Sequence, residues 1–578
     1  MRFKITNYII PLILIIYSLI LSLQGLDFGD AGWQLTGYDN IIKYPQGVHY
    51  SFMFWLSNIL GNIWHSILPG FGLYWSRIGV IILLIASLLH YTMVLHQFSS
   101  SFNWTLPLGL MYLHSFGGAP EAVNYDIFTI FFLSLAVLFL YKGLLKKNVL
   151  FILLFGFFIG INLFLKLSNA ASFVLIFVIL FYAFLEKWKF KLWFKFFIIS
   201  IIGYCLAVFV VIGIMKYIGH WELFLENIKF VSNMASADEA SHGFSNLLIS
   251  YISGYGKIAV LSLFPIIALI AYKYIAKLVV INKYVQYTLL ALLIIAFTFI
   301  SFKFGNPVWS KIRYAFYGLI IFSSILLILS KQTSNNRKTL LLTGLLLVLI
   351  APLGSDSGLE KIILGVWLLG AIFIFYLKNG FNILIKKLKF EFSLSPILYN
   401  TFLIILFVTY TSYAWNNTYN DPGNRFSKTY SINHEKLKYI YTTKERADAV
   451  NELLKTINKF VKPNDYLLAF NEIPMLHYLT DTKPFISTSW PKLIYSNDIF
   501  EKELNNSVNT KGLAIIVRQK MNMGLSNWPQ NTIDNYTDYK DDGIKYREQG
   551  VVLNRFIKKY KYQKVWENKA FEILKADE

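Results

Sequence analysis

The chain has 578 residues, 56% of them hydrophobic and 17% aromatic, with charged residues at only 15%, a balance that excludes an ordinary soluble protein. Its formal net charge of +21 is not a nucleic-acid signature, because the lysines and arginines fall in short clusters between apolar runs, as positive-inside topology requires. A single cysteine, Cys205, excludes an intramolecular disulfide and a cysteine metal site; set inside an apolar run, it reads as a core-packing residue.

The N-terminus, MRFK followed by Ile- and Leu-rich sequence, shows no small-residue cleavage site and is expected to remain as an uncleaved first span. Directly after it comes LDFGDAGWQLTGYDNIIKY, residues 26–44. This stretch sets Asp27, Asp30 and Asp39 where a membrane helix gives way to a water-facing loop. Gly29 and Gly32 flank Asp30, leaving the backbone free to turn and a ligand free to approach the carboxylate. Trp33, Tyr38, Ile41 and Ile42 recur at roughly helical spacing, which predicts a short amphipathic helix along the membrane interface. A second aromatic amphipathic stretch, YSFMFWLSNILGNIWHSIL, follows at 50–68.

Runs fit to cross about 30 Å of hydrocarbon are expected at 7–25, 75–96, 104–118, 126–142, 149–165, 169–186, 195–217, 257–274, 285–302, 314–330, 339–353, 359–377 and 396–415, thirteen helices in all. With the N-terminus cytoplasmic, the inner segments collect lysines such as Lys142, Lys146, Lys187, Lys191, Lys277 and Lys386, whereas Glu121, Asp126, Asp356 and Glu360 fall outside with the acidic turn. The second external loop, GGAPEAVNYD, is short and acidic. The fourth, residues 219–257, is long, rich in Ser and Gly, and holds His242; long loops of this kind are often functional. LFLKLSNAA puts Lys166 and Asn169 at another external junction, where a solvated turn is the plain alternative. FKFGNPVWSKIRY carries Lys303, Lys311 and Arg313 on the external side, against the positive-inside trend, although such lysines can also snorkel at helix ends. PLGSDSGLEK offers Gly354, Ser355, Asp356 and Ser357 at the mouth of two helices. No inverted repeat of hydropathy is evident, which weighs against a secondary transporter.

After Trp415 the composition turns polar with mixed charge and no further span. The chain thus divides into a transmembrane part, 1–415, and a soluble external part, 416–578. A helix with an apolar face of helical period is expected over 444–461. DYLLAFN and KGLAIIVRQ read as strands, and YQKVWEN with AFEILKA as a hairpin, so the external part is a small α/β domain.

A cytoplasmic N-terminus, some thirteen spans, DFGDAGW beyond the first helix, the acid of NYD in the next external loop and a C-terminal external α/β domain together resemble the GT-C superfamily of integral membrane glycosyltransferases. That superfamily includes protein O-mannosyltransferases, oligosaccharyltransferase catalytic subunits and the aminoarabinose transferases of lipid A. The resemblance implies an inner-membrane protein of a bacterial cell envelope that transfers a sugar from a polyprenyl-phosphate donor to a lipid, glycan or protein acceptor on the external face. It makes Asp30 the counterpart of the family's first-loop Asp and Asp126 that of the second acid, with Asp27 and Glu121 close by. The WWD signature of oligosaccharyltransferases is missing; TSWPK around Trp490 is a poor match.

The chemistry fits the same residues. A carboxylate within hydrogen-bond reach of the acceptor hydroxyl serves as base, for which Asp30 is the choice. The departing phosphate needs positive charge or a metal, which Lys166, Lys303, Lys311 and Arg313 offer, while Asp356 can bond sugar or phosphate. A divalent metal is an open cofactor question, with Asp30, Asp126, Glu121 and His242 as candidate ligands and no tight spacing to mark a site. The rival classes are a polysaccharide polymerase or ligase, which would lean on external arginines, and a lipid-linked glycan flippase or transporter, in which the acids would line a pathway.

Overall fold

The computed structural model describes residues 6–117, 122–236, 244–278, 283–304, 309–353, 358–385, 388–421, 423–470, 472–494, 496–520 and 544–577. Helix α1 (Thr6–Leu21) leads to α2 (Asp30–Lys43), a 3-10 segment Pro45–Phe54 and α3 (Trp55–Ile67). The chain continues through α4 (Gly72–Leu95), α5 (Thr105–Phe116), α6 (Tyr125–Lys146), α7 (Val149–Leu165), the 3-10 segment Leu167–Ile176 with α8 (Phe177–Leu185), α9 (Phe190–Tyr217) and α10 (Trp221–Ser236). Next come α11 (Phe244–Leu278), α12 (Lys283–Lys303), α13 (Trp309–Leu329), α14 (Asn335–Ile350), the 3-10 segment Gly358–Leu364 with α15 (Val366–Asn379), a hairpin of β1 (Phe381–Ile385) and β2 (Leu388–Phe392), and α16 (Pro396–Asn416).

Among the described residues seven helices are long and apolar enough to cross a membrane, and the segment Gly358–Leu364 with α15, bent by 73°, is an eighth if counted as one span. The difference from thirteen is one of length. Helices α1, α5, α7 and α14 stand where spans are expected but have 16, 12, 17 and 16 residues, and the apolar part of α12 covers only Tyr287–Lys303, all short of the roughly 20 that a crossing takes. Helices α7 and α9 lie so close that a side chain on Gly156 would strike the Ser200 carbonyl and one on Gly203 the Leu153 carbonyl, the small-residue packing of apolar helices. The opposite face of α9 is open, and only 22% of its apolar window is buried. Cys205 is exposed there, so the expectation of a core-packing cysteine is corrected: apolarity on α9 answers to its surroundings as well as to its neighbours.

The C-terminal region adds β3 (Tyr430–Ser431), β4 (Tyr441–Thr442), α17 (Lys444–Ile457), β5 (Tyr466–Phe470), α18 (Met475–Thr480), β6 (Lys483–Pro484), α19 (Asn497–Lys511), β7 (Ile515–Gln519), α20 (Ile544–Lys559), β8 (Tyr562–Glu567) and β9 (Phe571–Ala576). Five strands form one sheet in the order β6-β5-β7-β9-β8. Strand β5 runs parallel to β6 and β7, and the β8–β9 hairpin closes the sheet antiparallel to β7. Helix α17 buries Ala447, Val450, Leu453, Leu454 and Ile457, the face expected from its periodicity.

This α/β region is seated on α2. The Met475 amide donates to the Phe28 carbonyl at 3.1 Å, and Thr36 Oγ1 to the Pro474 carbonyl at 3.0 Å. Gly32 faces the Met475 backbone so closely that any Cβ would overlap it. The amphipathic helix expected to lie along the membrane interface is therefore sealed inside the protein: Trp33, Tyr38 and Ile41 are buried and only Ile42 is exposed. An apolar helical face is equally satisfied by lipid or by another part of the chain, and here the α/β region covers it.

Candidate functional site

The acidic turn is held from all sides before Asp30 is reached. Arg77 of α4 donates to the Ser22 and Gly25 carbonyls at 2.8 and 2.7 Å, and Arg425 Nη1 to the Leu21 carbonyl at 2.8 Å. Two guanidinium groups thus bond carbonyls at and just beyond the end of α1, where the helix dipole favours cations. Past them, the Gly25 amide bonds the Tyr441 carbonyl at 2.9 Å and the Tyr441 amide bonds the Leu23 carbonyl at 2.7 Å. The Leu26 amide donates to Asp421 Oδ2 at 2.7 Å.

The two acids of the turn then part in role. Asp27 is buried, its Oδ1 accepting from the Gly29 amide at 2.9 Å and Asn420 Nδ2 at 3.0 Å, its Oδ2 from the Ala31 amide at 2.7 Å. It ties down the first turn of α2 as a helix cap does. Burial and the neighbouring Asp30 charge push the Asp27 carboxyl up to about 7, against the pull of those three donors. Asp30 is only partly buried, and its Oδ2 accepts from the Tyr419 hydroxyl. Of the pair, Asp30 is the carboxylate with an oxygen open to a ligand.

Asp126 stands at the start of α6, whose cap is Asn124, accepting from the Asp126 and Ile127 amides at 3.1 Å. Its carboxylate lies 2.6 Å from Lys361 Nζ and 3.8 Å from Lys166 Nζ. Lys361 belongs to the segment Gly358–Leu364, and its neighbour Glu360 pairs with Arg313 Nη2 at 2.9 Å. One short 3-10 segment thereby draws together cations from α13 and from the end of α7, leaving Lys166, Lys361 and Arg313 against Asp126 and Glu360. The balance is one positive charge. Lys166 Nζ also sits 5.2 Å from the centre of the Tyr125 ring. Tyr125 stacks on Phe54 at 4.0 Å, and Phe54 meets Trp33 edge-on at 5.7 Å, so an aromatic chain runs from α2, one turn past Asp30, to the residue before Asp126.

The other expected residues are placed differently. Lys303 is exposed, its ammonium 5.1 and 5.2 Å from the Phe299 and Phe304 rings. Lys311 is exposed and Arg313 buried. Asn169 Nδ2 bonds Thr129 Oγ1 at 2.7 Å. Asp39 lies at the far end of α2, 3.8 Å from Lys436. Trp490 is buried in the cluster of Trp33, Tyr50 and Phe54. Glu121, His242 and Asp356 lie outside the described residues. Sequence reasoning passed over Lys361, Tyr419 and Asn420, and counted Glu360 among the external acids without assigning it to the site. For Lys361 a signal existed, a cation closing the PLGSDSGLEK loop on the external side; for Tyr419, 389 positions from Asp30, none did.

Among the described residues no three His, Cys, Asp or Glu side chains gather as a metal site. Of the candidate ligands, Asp126 turns its oxygens to ammonium groups, a poor fit to a divalent ion, Asp30 keeps a part-exposed carboxylate, and Glu121 and His242 lie outside the described residues.

No family model matches the sequence, and no curated protein does. Among solved structures the chain is similar to the archaeal oligosaccharyltransferase AglB from Archaeoglobus fulgidus in complex with an inhibitory peptide and a dolichol-phosphate, at 10% identity over 88% of this chain and 69% of that one, with a TM-score of 0.41. It is also similar to ArnT from Cupriavidus metallidurans bound to undecaprenyl phosphate, at 11% identity over 99% of this chain and 97% of that one, with a TM-score of 0.39. At these identities and TM-scores neither likeness carries an argument about function, which rests on this chain's own residues.

Proposed function

We propose that the chain is an integral membrane glycosyltransferase that moves a sugar from a polyprenyl-phosphate-linked donor to a lipid, glycan or protein acceptor. The division of labour in the acidic turn carries this reading. Asp27 is spent on backbone amides, while Asp30 presents a part-exposed carboxylate oriented by a phenol. A base must reach the proton it takes, and Asp30 has the exposure for it where the buried Asp27 does not. As the acceptor oxygen bonds the anomeric carbon, its proton passes to Asp30; the carbon–oxygen bond to phosphate breaks and its electron pair leaves with the lipid phosphate. Lys361 and Lys166, held in place by Asp126, stabilise that departing charge together with Arg313. An arginine-based polymerase is less favoured, because Arg77 is engaged with the carbonyls at the end of α1 and the cluster beside Asp126 holds two lysines to one arginine. Purified protein supplied with labelled polyprenyl-phosphate sugars should release lipid phosphate in step with sugar transfer. Movement of intact donor across vesicles without release would replace the transferase with a flippase.

The donor phosphate is assigned to the Lys166–Lys361–Arg313 cluster, with Lys303 and Lys311 as outer cations. Lys361→Gln should weaken donor binding about 10- to 100-fold, the loss of a charge-assisted bond worth about 1.5–3 kcal/mol. Lys303→Gln and Lys311→Gln, at exposed positions, should cost less than about fivefold, as exposed charges do. Equal losses at all three would move the phosphate toward α12.

The same reading sets the N-terminus in the cytoplasm of a bacterial cell, counts thirteen crossings of the inner membrane by including the short helices, and makes 416–578 an external domain. Reporter fusions after Trp415 should register as external. Because the Phe28–Met475 bond keeps the acidic turn and the C-terminal region on one side, a cytoplasmic signal there would put both in the cytoplasm and remove the thirteen-span topology and the site assignment with it.

A further inference from the structure

A cavity of about 350 Å³ lies between the far end of α2 and the α/β region, within the range of small-molecule sites. Asp39 and Lys43 of α2 form one wall; Asn464, Asp481, Thr482 and Lys483, from the turns around β5, α18 and β6, form the other. Asn464 and Asp481 both hold left-handed backbone, with φ of 74° and 54°, and are tied by the Asn464 amide to the Asp481 carbonyl at 2.8 Å. Such conformations persist where the surrounding fold imposes them and gather at binding sites.

The wall chemistry selects among ligands. Lys43 and Lys483 balance Asp39 and Asp481, and Lys436, 2.7 Å from Asp481 and 3.8 Å from Asp39, lies against both acids. Burial keeps His477 neutral, its pKa pushed down to about 3. Three ammonium groups stand against a metal cation, and the two wall carboxylates stand against a phosphate. The walls instead interleave donors (Lys43, Lys483, the Asn464 side-chain NH₂) with acceptors (Asp39, Asp481, the Asn464 side-chain oxygen). Vicinal sugar hydroxyls, each a donor and an acceptor, match that alternation.

We propose that this cavity is a saccharide-binding site, taking an uncharged pyranose ring through its hydroxyls, on the same helix as Asp30 but separate from it. The proposal goes beyond the transferase reading, since it needs neither donor nor turnover. Saturation-transfer NMR on the full-length protein, in a detergent without a sugar headgroup, tests it with glucose, galactose, mannose and N-acetylglucosamine as probes and inorganic phosphate as competitor. At least one sugar should receive saturation and keep it in excess phosphate. Asp39→Asn combined with Lys43→Ala should weaken that sugar about 10-fold or more, and Lys43→Trp, from the exposed rim, should block the cavity. Asp30→Asn should leave the signal in place. Silence from all four sugars, displacement by phosphate, loss of signal in Asp30→Asn, or full signal in both cavity variants at an unchanged unfolding midpoint would each overturn the assignment.

Discussion

Asp30→Asn should lower sugar transfer by about 10²- to 10⁴-fold, the usual cost of removing a general base, while leaving the unfolding midpoint of the purified protein unchanged. An amide keeps the shape of the side chain and its contact with Tyr419 but cannot accept the acceptor's proton. Asp30 is partly exposed and its bond to Tyr419 lies at the surface, so little of the fold depends on its charge. Asp126→Asn should also be severe, by a different route: it leaves Lys166 and Lys361 facing a neutral group in a largely buried setting. Asp27→Asn should cost stability rather than chemistry, because its NH₂ would face an amide donor where the carboxylate accepts from Gly29, Ala31 and Asn420. Asp39→Asn should cost transfer far less than Asp30→Asn, since Asp39 lies nine residues further on α2, about 13 Å along the axis. The ordering of rates in a donor-turnover assay is the measurement. Near-normal turnover in Asp30→Asn, with loss in a fully folded Asp27→Asn, would exchange the two roles; activity in all four would remove the carboxylate mechanism.

What the sequence reveals of this site is what short-range chemistry dictates. The acidic turn is legible because glycines and carboxylates follow an apolar run directly, and Asn124-Tyr125-Asp126 is legible as the acid of the second external loop. The β8–β9 hairpin and the buried face of α17 follow from period alone. The part of the site that lies in pairing across the chain is not legible in this way. Lys361 meets Asp126 over 235 positions and Tyr419 meets Asp30 over 389, and no local pattern encodes either. Gly32 illustrates a second limit. A missing Cβ reads the same whether it admits a ligand or, as here, the backbone of Met475. Cys205 illustrates a third, because an apolar run carries one hydropathy whether it faces protein or lipid.

Asp421→Ala should destabilise the protein by roughly 3–5 kcal/mol, the cost of stripping one partner from a buried ion pair, and should do so without touching the reacting groups. Asp421 is fully buried just after α16 and joins three segments at once. Its Oδ2 accepts from the Leu26 amide at 2.7 Å and from Thr442 Oγ1 at 2.9 Å, and its Oδ1 faces the guanidinium of Arg446 on α17. Arg446 is buried as well, and burial has already lowered its pKa to about 10. Without the carboxylate it would keep a charge in a site that no longer compensates it. Because Leu26 precedes Asp27, the same loss loosens the acidic turn, so the apparent midpoint of thermal unfolding in detergent should fall and transfer should fall with it. Asp421→Asn separates the contributions: it retains an oxygen for the Leu26 amide but not the charge for Arg446, and its midpoint should lie between those of the parent and Asp421→Ala. The contrast with Asp30→Asn is the control, one variant losing rate at constant stability and the other losing stability first. If Asp421→Ala unfolds at the parent midpoint, the joint between the acidic turn and the α/β region is carried by the α2–Met475 packing, and the Asp421–Arg446 pair contributes nothing to it.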